Sequence, residues 1–205
     1  MKCINQYFLG LLLCSLLLMS NACPEKKIKP KKTKILYDLT NPKNQLVLSK
    51  KLLEISGLTY IGNGELAAVN DEQAFVYLID GETGKIFDKV DFGKKGDYEG
   101  ITVVENKMYV TSSKGDIYKL KNYKNSEKTK KYTTKLSLKN DIEGLCYLEK
   151  ENALLLACKE QTGYKKHEKD WRYIYKFDLE KKQLSEEVFL KISEKEIGNF
   201  LGKDM

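Results

Sequence analysis

Two segments of the chain set carboxylates at the same spacing ahead of a glycine: Asp97-Tyr98-Glu99-Gly100 and Asp141-Ile142-Glu143-Gly144. A third acidic pair, Asp71-Glu72, closes an apolar run further upstream. Carboxylate oxygens are hard donors, and a hard cation such as Ca²⁺ gathers about six to eight of them. If the two D-x-E-G segments occupy equivalent places in neighbouring repeats, Asp97, Glu99, Asp141 and Glu143 converge on one opening, and calcium is the cofactor they would suit. The competing reading is structural. The same acids can cap strand ends, accept backbone N–H bonds in turns, or pair with the abundant lysines. Ser56 stands in the first repeat where the others carry Glu99 and Glu143, so the acidic ring is not uniform. Asp71-Glu72 and Lys159-Glu160 end an adjacent strand and are not expected to return to that rim; Asp71 and Glu72 are kept as secondary ligand candidates.

Nucleophilic catalysis finds little support. His167 is the only histidine and lies in a lysine-rich loop, where a solvated role fits best; any Ser-His-Asp or Cys-His set would need it. No G-x-S-x-G elbow, H-E-x-x-H helix or P-loop occurs, and Gly93-Lys94-Lys95-Gly96 lacks the P-loop spacing and its Lys-Ser/Thr ending. Trp171, Tyr173 and Tyr175 alternate along one strand face and read as packing between sheets rather than as a stacking patch.

The elements that must position these residues repeat. Ile55-Ser56-Gly57-Leu58 recurs as Tyr98-Glu99-Gly100-Ile101 and as Ile142-Glu143-Gly144-Leu145, with the glycines 43 and then 44 residues apart. Each glycine begins a short alternating run, followed by a turn and a second apolar run: Leu66–Val69, Met108–Val110 and Leu154–Ala157. A third run follows in Phe75–Asp80, Ile117–Leu120 and Tyr173–Asp178. A fourth spans Ile86–Val90 and Leu184–Val188, and in the middle copy it is obscured by the lysine-rich stretch 121–135. Four short strands at this period predict β-propeller blades. The fold class is therefore all-β: a partial propeller of three four-stranded antiparallel blades plus an N-terminal strand segment. The glycines are expected on the innermost strands, where neighbouring backbones crowd together. Closed propellers have about four to eight blades, so three repeats predict a truncated or split coding sequence, or a fragment. Residues 35–49, with Ile35-Leu36-Tyr37 and Leu46-Val47-Leu48, are expected to offer an outer strand to a last blade that is missing.

The N-terminus predicts export. In residues 1–22 Lys2 precedes the apolar stretch Tyr7–Met19, which is short for a bilayer core of about 30 Å and has the layout of a signal peptide. Ser20-Asn21-Ala22-Cys23 resembles a bacterial lipobox, with Cys23 as the lipidated residue. Residues 23–34, which include Lys26, Lys27, Lys29, Lys31, Lys32 and Lys34, read as a solvated tether between the membrane and a body at 35–205. The expected location is a bacterial cell membrane or outer membrane. Cys3 and Cys14 leave with the signal, so Cys146 and Cys158 remain. Pairing Leu148 with Ala153 sets Cys146 opposite Leu155 rather than Cys158, which predicts buried free thiols.

Charge excludes one class of partner. The chain has 205 residues and a formal net charge of +7, with 36 basic side chains of which only Arg172 is an arginine. Most of the excess lies in the signal and tether, while the body beyond residue 34 holds 29 basic and 28 acidic groups. A nucleic-acid-binding body should be basic and rich in arginine, and this one is nearly neutral.

The segments Glu54-Ile55-Ser56-Gly57-Leu58, Val69-Asn70-Asp71-Glu72, Tyr77-Leu78-Ile79-Asp80 with Thr83-Gly84-Lys85-Ile86, and Phe92-Gly93 through Gly96-Asp97-Tyr98-Glu99-Gly100-Ile101 resemble the SdiA-regulated family of exported bacterial β-propellers. The resemblance implies a six-bladed fold and an envelope location, and no reaction. By analogy alone, six-bladed lactonases and esterases with a channel-bound calcium make a calcium-dependent hydrolase one alternative. The leading expectation is a lipid-anchored binding or scaffold module for an unidentified envelope ligand or protein. A non-functional truncated fragment is the third.

Overall fold

A computed structural model describes residues 40–121, 128–160 and 170–202. The signal peptide, Cys23, the tether, residues 35–39 and His167 lie outside the described residues. The chain divides into two units, Met1–Asn44 and Gln45–Met205. Residues 40–44 of the first form no helix or strand. Everything below concerns the second.

That unit is three sheets of four antiparallel strands, each strand paired with the next in sequence. Blade one comprises β1 (Ile55–Gly62), β2 (Glu65–Asn70), β3 (Phe75–Asp80) and β4 (Ile86–Asp91). Blade two comprises β5 (Tyr98–Val104), β6 (Lys107–Ser112), β7 (Ile117–Lys121) and β8 (Lys128–Tyr132). Blade three comprises β9 (Ile142–Leu148), β10 (Ala153–Cys158), β11 (Trp171–Asp178) and β12 (Gln183–Ser193). The strand hidden in the lysine-rich stretch is thus β8, an outer edge strand where lysines hinder pairing with foreign chains.

The middle strands β2, β3 and β6 are buried on both faces because packed layers cover both sides of their blades, whereas β11 alternates, buried toward blade two and only partly covered on its other face. In β3, Val76 and Leu78 pack with Ala67, Val69 and Val90 against Ile101, Met108, Val110 and Leu120 of blade two. The alternate residues, Tyr77 and Ile79, instead pack under Leu52 from a short 3₁₀ turn at Lys50–Leu52. Blade two repeats the arrangement, with Tyr109 and Ile117 meeting Ile142, Leu154, Leu156, Tyr175 and Phe177 of blade three. Tyr173 and Tyr175 are buried in that layer and Trp171 packs against it, so the aromatic alternation is packing. Turns are fixed locally. Asp80 Oδ1 accepts from the amides of Glu82 (3.1 Å) and Thr83 (2.7 Å), and Asp178 Oδ1 does the same for Glu180 (2.9 Å) and Lys181 (2.8 Å). These bonds hold both carboxyls below their ordinary range.

The repeat glycines sit where blade meets blade. A Cβ on Gly57 would lie 3.0 Å from the Ile101 amide nitrogen and 3.1 Å from Gly100 Cα. A Cβ on Gly100 would lie 2.7 Å from Leu145 Cβ and 3.0 Å from the Leu145 nitrogen. Backbone hydrogen bonds cross at the same level: Tyr98 N donates to Asp71 O (2.9 Å) and Ile142 N to Ser113 O (2.9 Å).

Two expectations need correction, and one element lies outside the strand repeat. Residues 40–49 form no strand. A lone strand has no ladder to satisfy its backbone; Leu46 and Leu48 lie over Gly84, and Val47 is fully solvated. The cysteines are free and Cys146 lies opposite Leu155 as predicted, while the bulge at Glu143 sets Cys158 opposite Ile142; only Cys158 is buried. Cys146 is exposed because it shares the outward face of β9 with Gly144. Finally, a helix, α1 (Glu194–Leu201), follows β12. Ser193 Oγ caps it by accepting from Glu196 N (3.2 Å), and Gly202 ends it in a left-handed conformation.

Candidate functional site

The D-x-E-G acids owe their placement to a bulge repeated in every blade. The pairing of β1 with β2 slips between Ile55 and Gly57, that of β5 with β6 between Tyr98 and Gly100, and that of β9 with β10 between Ile142 and Gly144. The extra residue is Ser56, Glu99 or Glu143. A bulge re-aims its side chain away from the regular pleat, and here it does so at the start of each inner strand.

Ser56 uses its hydroxyl to bridge blades, donating to the Tyr98 carbonyl. Glu99 makes no ion pair among the described residues, whereas Glu143 pairs with Lys159. Burial pushes the Glu99 carboxyl up to about 7, helped by a hydrogen bond shared with Asp97 and by the charges of Glu143, Asp97 and Asp141. The four predicted acids therefore form one electrostatic group, contributed by two adjacent blades.

Lys159 belongs to the same group. Its Nζ lies 2.7 Å from Glu143 Oε1 and 3.3 Å from Asp141 Oδ2. Those two carboxylates hold the ammonium proton more tightly than usual. From spacing alone the end of β10 is expected away from the rim. The register returns it, since Lys159 N donates to Asp141 O (2.8 Å) directly after the bulge. The signal was present in the repeat: Asp71, Ser113 and Lys159 each follow a second strand, so they are equivalent positions. Asp71 and Glu72 part company. Asp71 is half-buried, its carbonyl takes the Tyr98 amide, and its Oδ1 is buried without a hydrogen-bond partner among the described residues. Glu72 is exposed and contributes its carbonyl to Gly96 N (3.2 Å). The hydroxyl of Ser113 is also buried and unpartnered among the described residues.

This arrangement does not fit a calcium cage. Two of the four carboxylates already face an ammonium, and Glu99 shares a hydrogen with Asp97, whereas calcium needs about six to eight free oxygens. No three His, Cys, Asp or Glu side chains among the described residues are grouped to hold one metal ion. What the group can do is bind: it offers acidic oxygens, one internal cation and buried polar atoms beside the inner strands.

Three four-stranded blades stacked through glycine-bearing inner strands, with a polar rim at one end, define a partial β-propeller. A family profile matches residues 38–196, and the chain belongs to the SdiA-regulated family. No curated protein matches it in sequence. Among solved structures it is similar to the computationally designed Ika4 protein, at 11% identity and a TM-score of 0.47, over 72% of this chain and 79% of that one. It is also similar to streptogramin B lyase, at 12% identity and a TM-score of 0.47, over 64% of this chain and 39% of the lyase. Hydrazine synthase of Kuenenia stuttgartiensis gives 15% identity and a TM-score of 0.48 over 71% of this chain. The chain spans 38% of that synthase, and so well under half the length of either natural protein.

Proposed function

We propose that this protein is a lipid-anchored binding module of the bacterial cell envelope whose rim receives a cationic group, a primary ammonium above all. One observation carries the reading. Lys159 demonstrates the interaction within the site, its ammonium held between Asp141 and Glu143. The equivalent pair one blade earlier, Asp97 and Glu99, has no cationic partner among the described residues. An ammonium from a ligand would complete there what Lys159 completes next door, and charge-assisted bonds of this kind are the stronger ones.

Titration of the full chain with 1,4-diaminobutane tests it. Binding should be tighter at pH 8 than at pH 6, because Glu99 must lose its proton to act as acceptor. Asp97→Asn with Glu99→Gln should weaken it by about tenfold or more, the equivalent of one charge-assisted hydrogen bond. Saturable calcium binding with no response to the diamine would overturn the reading in favour of the calcium site. Calcium-dependent turnover of an ester, lactone or phosphoester that Glu99→Gln abolishes would make the protein a hydrolase.

The anchor rests on Ala22-Cys23 and the lysine tether. Two or more acyl chains give stable attachment, whereas one is marginal. Cys23→Ala is expected to move the protein from the membrane to the soluble fraction. Unchanged fractionation would remove lipidation from the account.

A further inference from the structure

We infer that a second site, a lysine-lined cleft over blade two, binds a phosphate-type oxyanion. The inference does not rest on the ammonium reading. A cleft of about 640 Å³ is enclosed by the β4–β5 connection Gly93–Asp97, by Ser112, Ser113 and Lys114 at the end of β6, and by Tyr98, Asp116, Tyr118, Lys131 and Leu138.

Its charge is unbalanced. Lys131 is paired with Asp116 (2.7 Å), and Asp97 is the one other carboxylate of the lining among the described residues, set against three further lysines. Lys94, Lys95 and Lys114 remain, all exposed and none in an ion pair among the described residues.

The loop that carries two of them is held in place. Gly93 N donates to Asp91 Oδ1 (3.1 Å), Gly96 N to Glu72 O (3.2 Å), and the Tyr98 hydroxyl to Lys94 O (2.6 Å). Gly96 lies so close to the Tyr98 ring that a Cβ would come within 2.9 Å of Cζ. Tyr98 is fixed in turn by edge-on contacts with Phe92 and Tyr118, at 4.8 and 5.4 Å between ring centroids. Between the pinned ends, the amides of Lys94 and Lys95 make no hydrogen bond among the described residues. Amides without an acceptor in the chain can donate to a bound anion beside the ammonium groups.

The wall supplies the second observation. The hydroxyls of Ser112 and Ser113 are buried with no partner among the described residues, a state that folded proteins seldom leave unexplained. An oxyanion with three or four acceptor oxygens suits lysine ammonium groups, amides and hydroxyls together. Gly93-Lys94-Lys95-Gly96 is no P-loop by spacing, yet its lysines and the two serine hydroxyls suit the same class of ligand.

Equilibrium dialysis of the full chain against radiolabelled inorganic phosphate at low ionic strength tests the site. Saturable binding is expected, weakened by about tenfold or more in Lys94→Gln/Lys95→Gln/Lys114→Gln and kept in a Lys181→Gln control. Ser113→Ala should weaken it without changing the thermal melt. A second arm compares flotation with phosphatidylglycerol and phosphatidylcholine vesicles. Capture that the triple variant and free phosphate both reduce identifies a lipid headgroup as the source. Absence of saturable binding in both arms, or equal binding by a folded triple variant, overturns the inference.

Discussion

Gly100→Ala is expected to destabilise the domain by about 1–3 kcal/mol, although it adds one methyl group. That methyl would stand 2.7 Å from Leu145 Cβ, 3.0 Å from the Leu145 nitrogen and 3.1 Å from Thr111 Cγ2. Leu145 is held by its own ladder with Leu156, so neither the strand nor the Cβ can swing aside. The two inner strands must separate, and the layer formed by Val104, Tyr109 and Ile117 against Leu154, Leu156 and Phe177 loosens with them. Gly57→Ala faces similar backbone at 3.0–3.1 Å and should behave alike. Gly144→Ala is the internal control. There the methyl would meet only Ala157 Cβ, at 3.1 Å, and a change within about 0.5 kcal/mol is expected. Since glycine weakens a strand by about 0.5–1 kcal/mol relative to alanine, the sign at Gly144 could even be stabilising. Chemical denaturation of the three variants measures this. Equal losses at Gly100 and Gly144, or none at Gly100, would refute the claim that these glycines serve blade-to-blade contact.

The contrast explains why the blades are legible in the sequence. Period and composition report on packing, and packing repeats: glycine at the inner strand, alternation toward each neighbour, a turn acid such as Asp80 or Asp178 at the same offset. The pairing of Leu148 with Ala153 follows from the turn between them and sets Cys146 opposite Leu155, while the bulge at Glu143 shifts Cys158 by one residue, to Ile142. Exposure was harder to read. Cys146 faces outward with Gly144, on the side where no further blade among the described residues covers it, and a strand pattern alone does not tell a covered face from an open one. The bulges at Ser56, Glu99 and Glu143 were invisible for a related reason. A one-residue slip leaves the apolar alternation after the glycine intact, while it re-aims the acid before it. That slip is what gives Lys159 to Asp141 and Glu143 and turns a supposed ring of metal ligands into two carboxyl pairs, one of them already served. Helix α1 escaped notice because eight residues are too few for a periodic stripe, although Ser193-Glu194-Lys195-Glu196 has the spacing of a capping box.

Glu99 should make the domain less stable as pH rises through neutrality, and Glu99→Gln should remove that dependence. Burial first, then the Asp97 hydrogen bond and the nearby charges, raises the carboxyl from its ordinary 4.5 to about 7 in the folded state. Folded protein therefore binds this proton more tightly than unfolded chain between those values. Below about pH 4.5 both states are protonated and the contribution is fully present. It is lost progressively as pH climbs to about 7, where the folded state must also ionise among Asp97, Asp141 and Glu143. Solvent reaches part of the group, so the swing is about 1 kcal/mol rather than the full value of the shift. Glutamine keeps a neutral side chain that can hydrogen-bond to Asp97, and it cannot ionise. The variant should match the parent near pH 4 and exceed it in stability at pH 8, by denaturant titration at both values. Asp97→Asn, which removes one neighbouring charge, should shift the parent's transition toward lower pH. If parent and Glu99→Gln lose stability in parallel, the proton is held elsewhere. The dependence of diamine binding on pH would then need another titrating group.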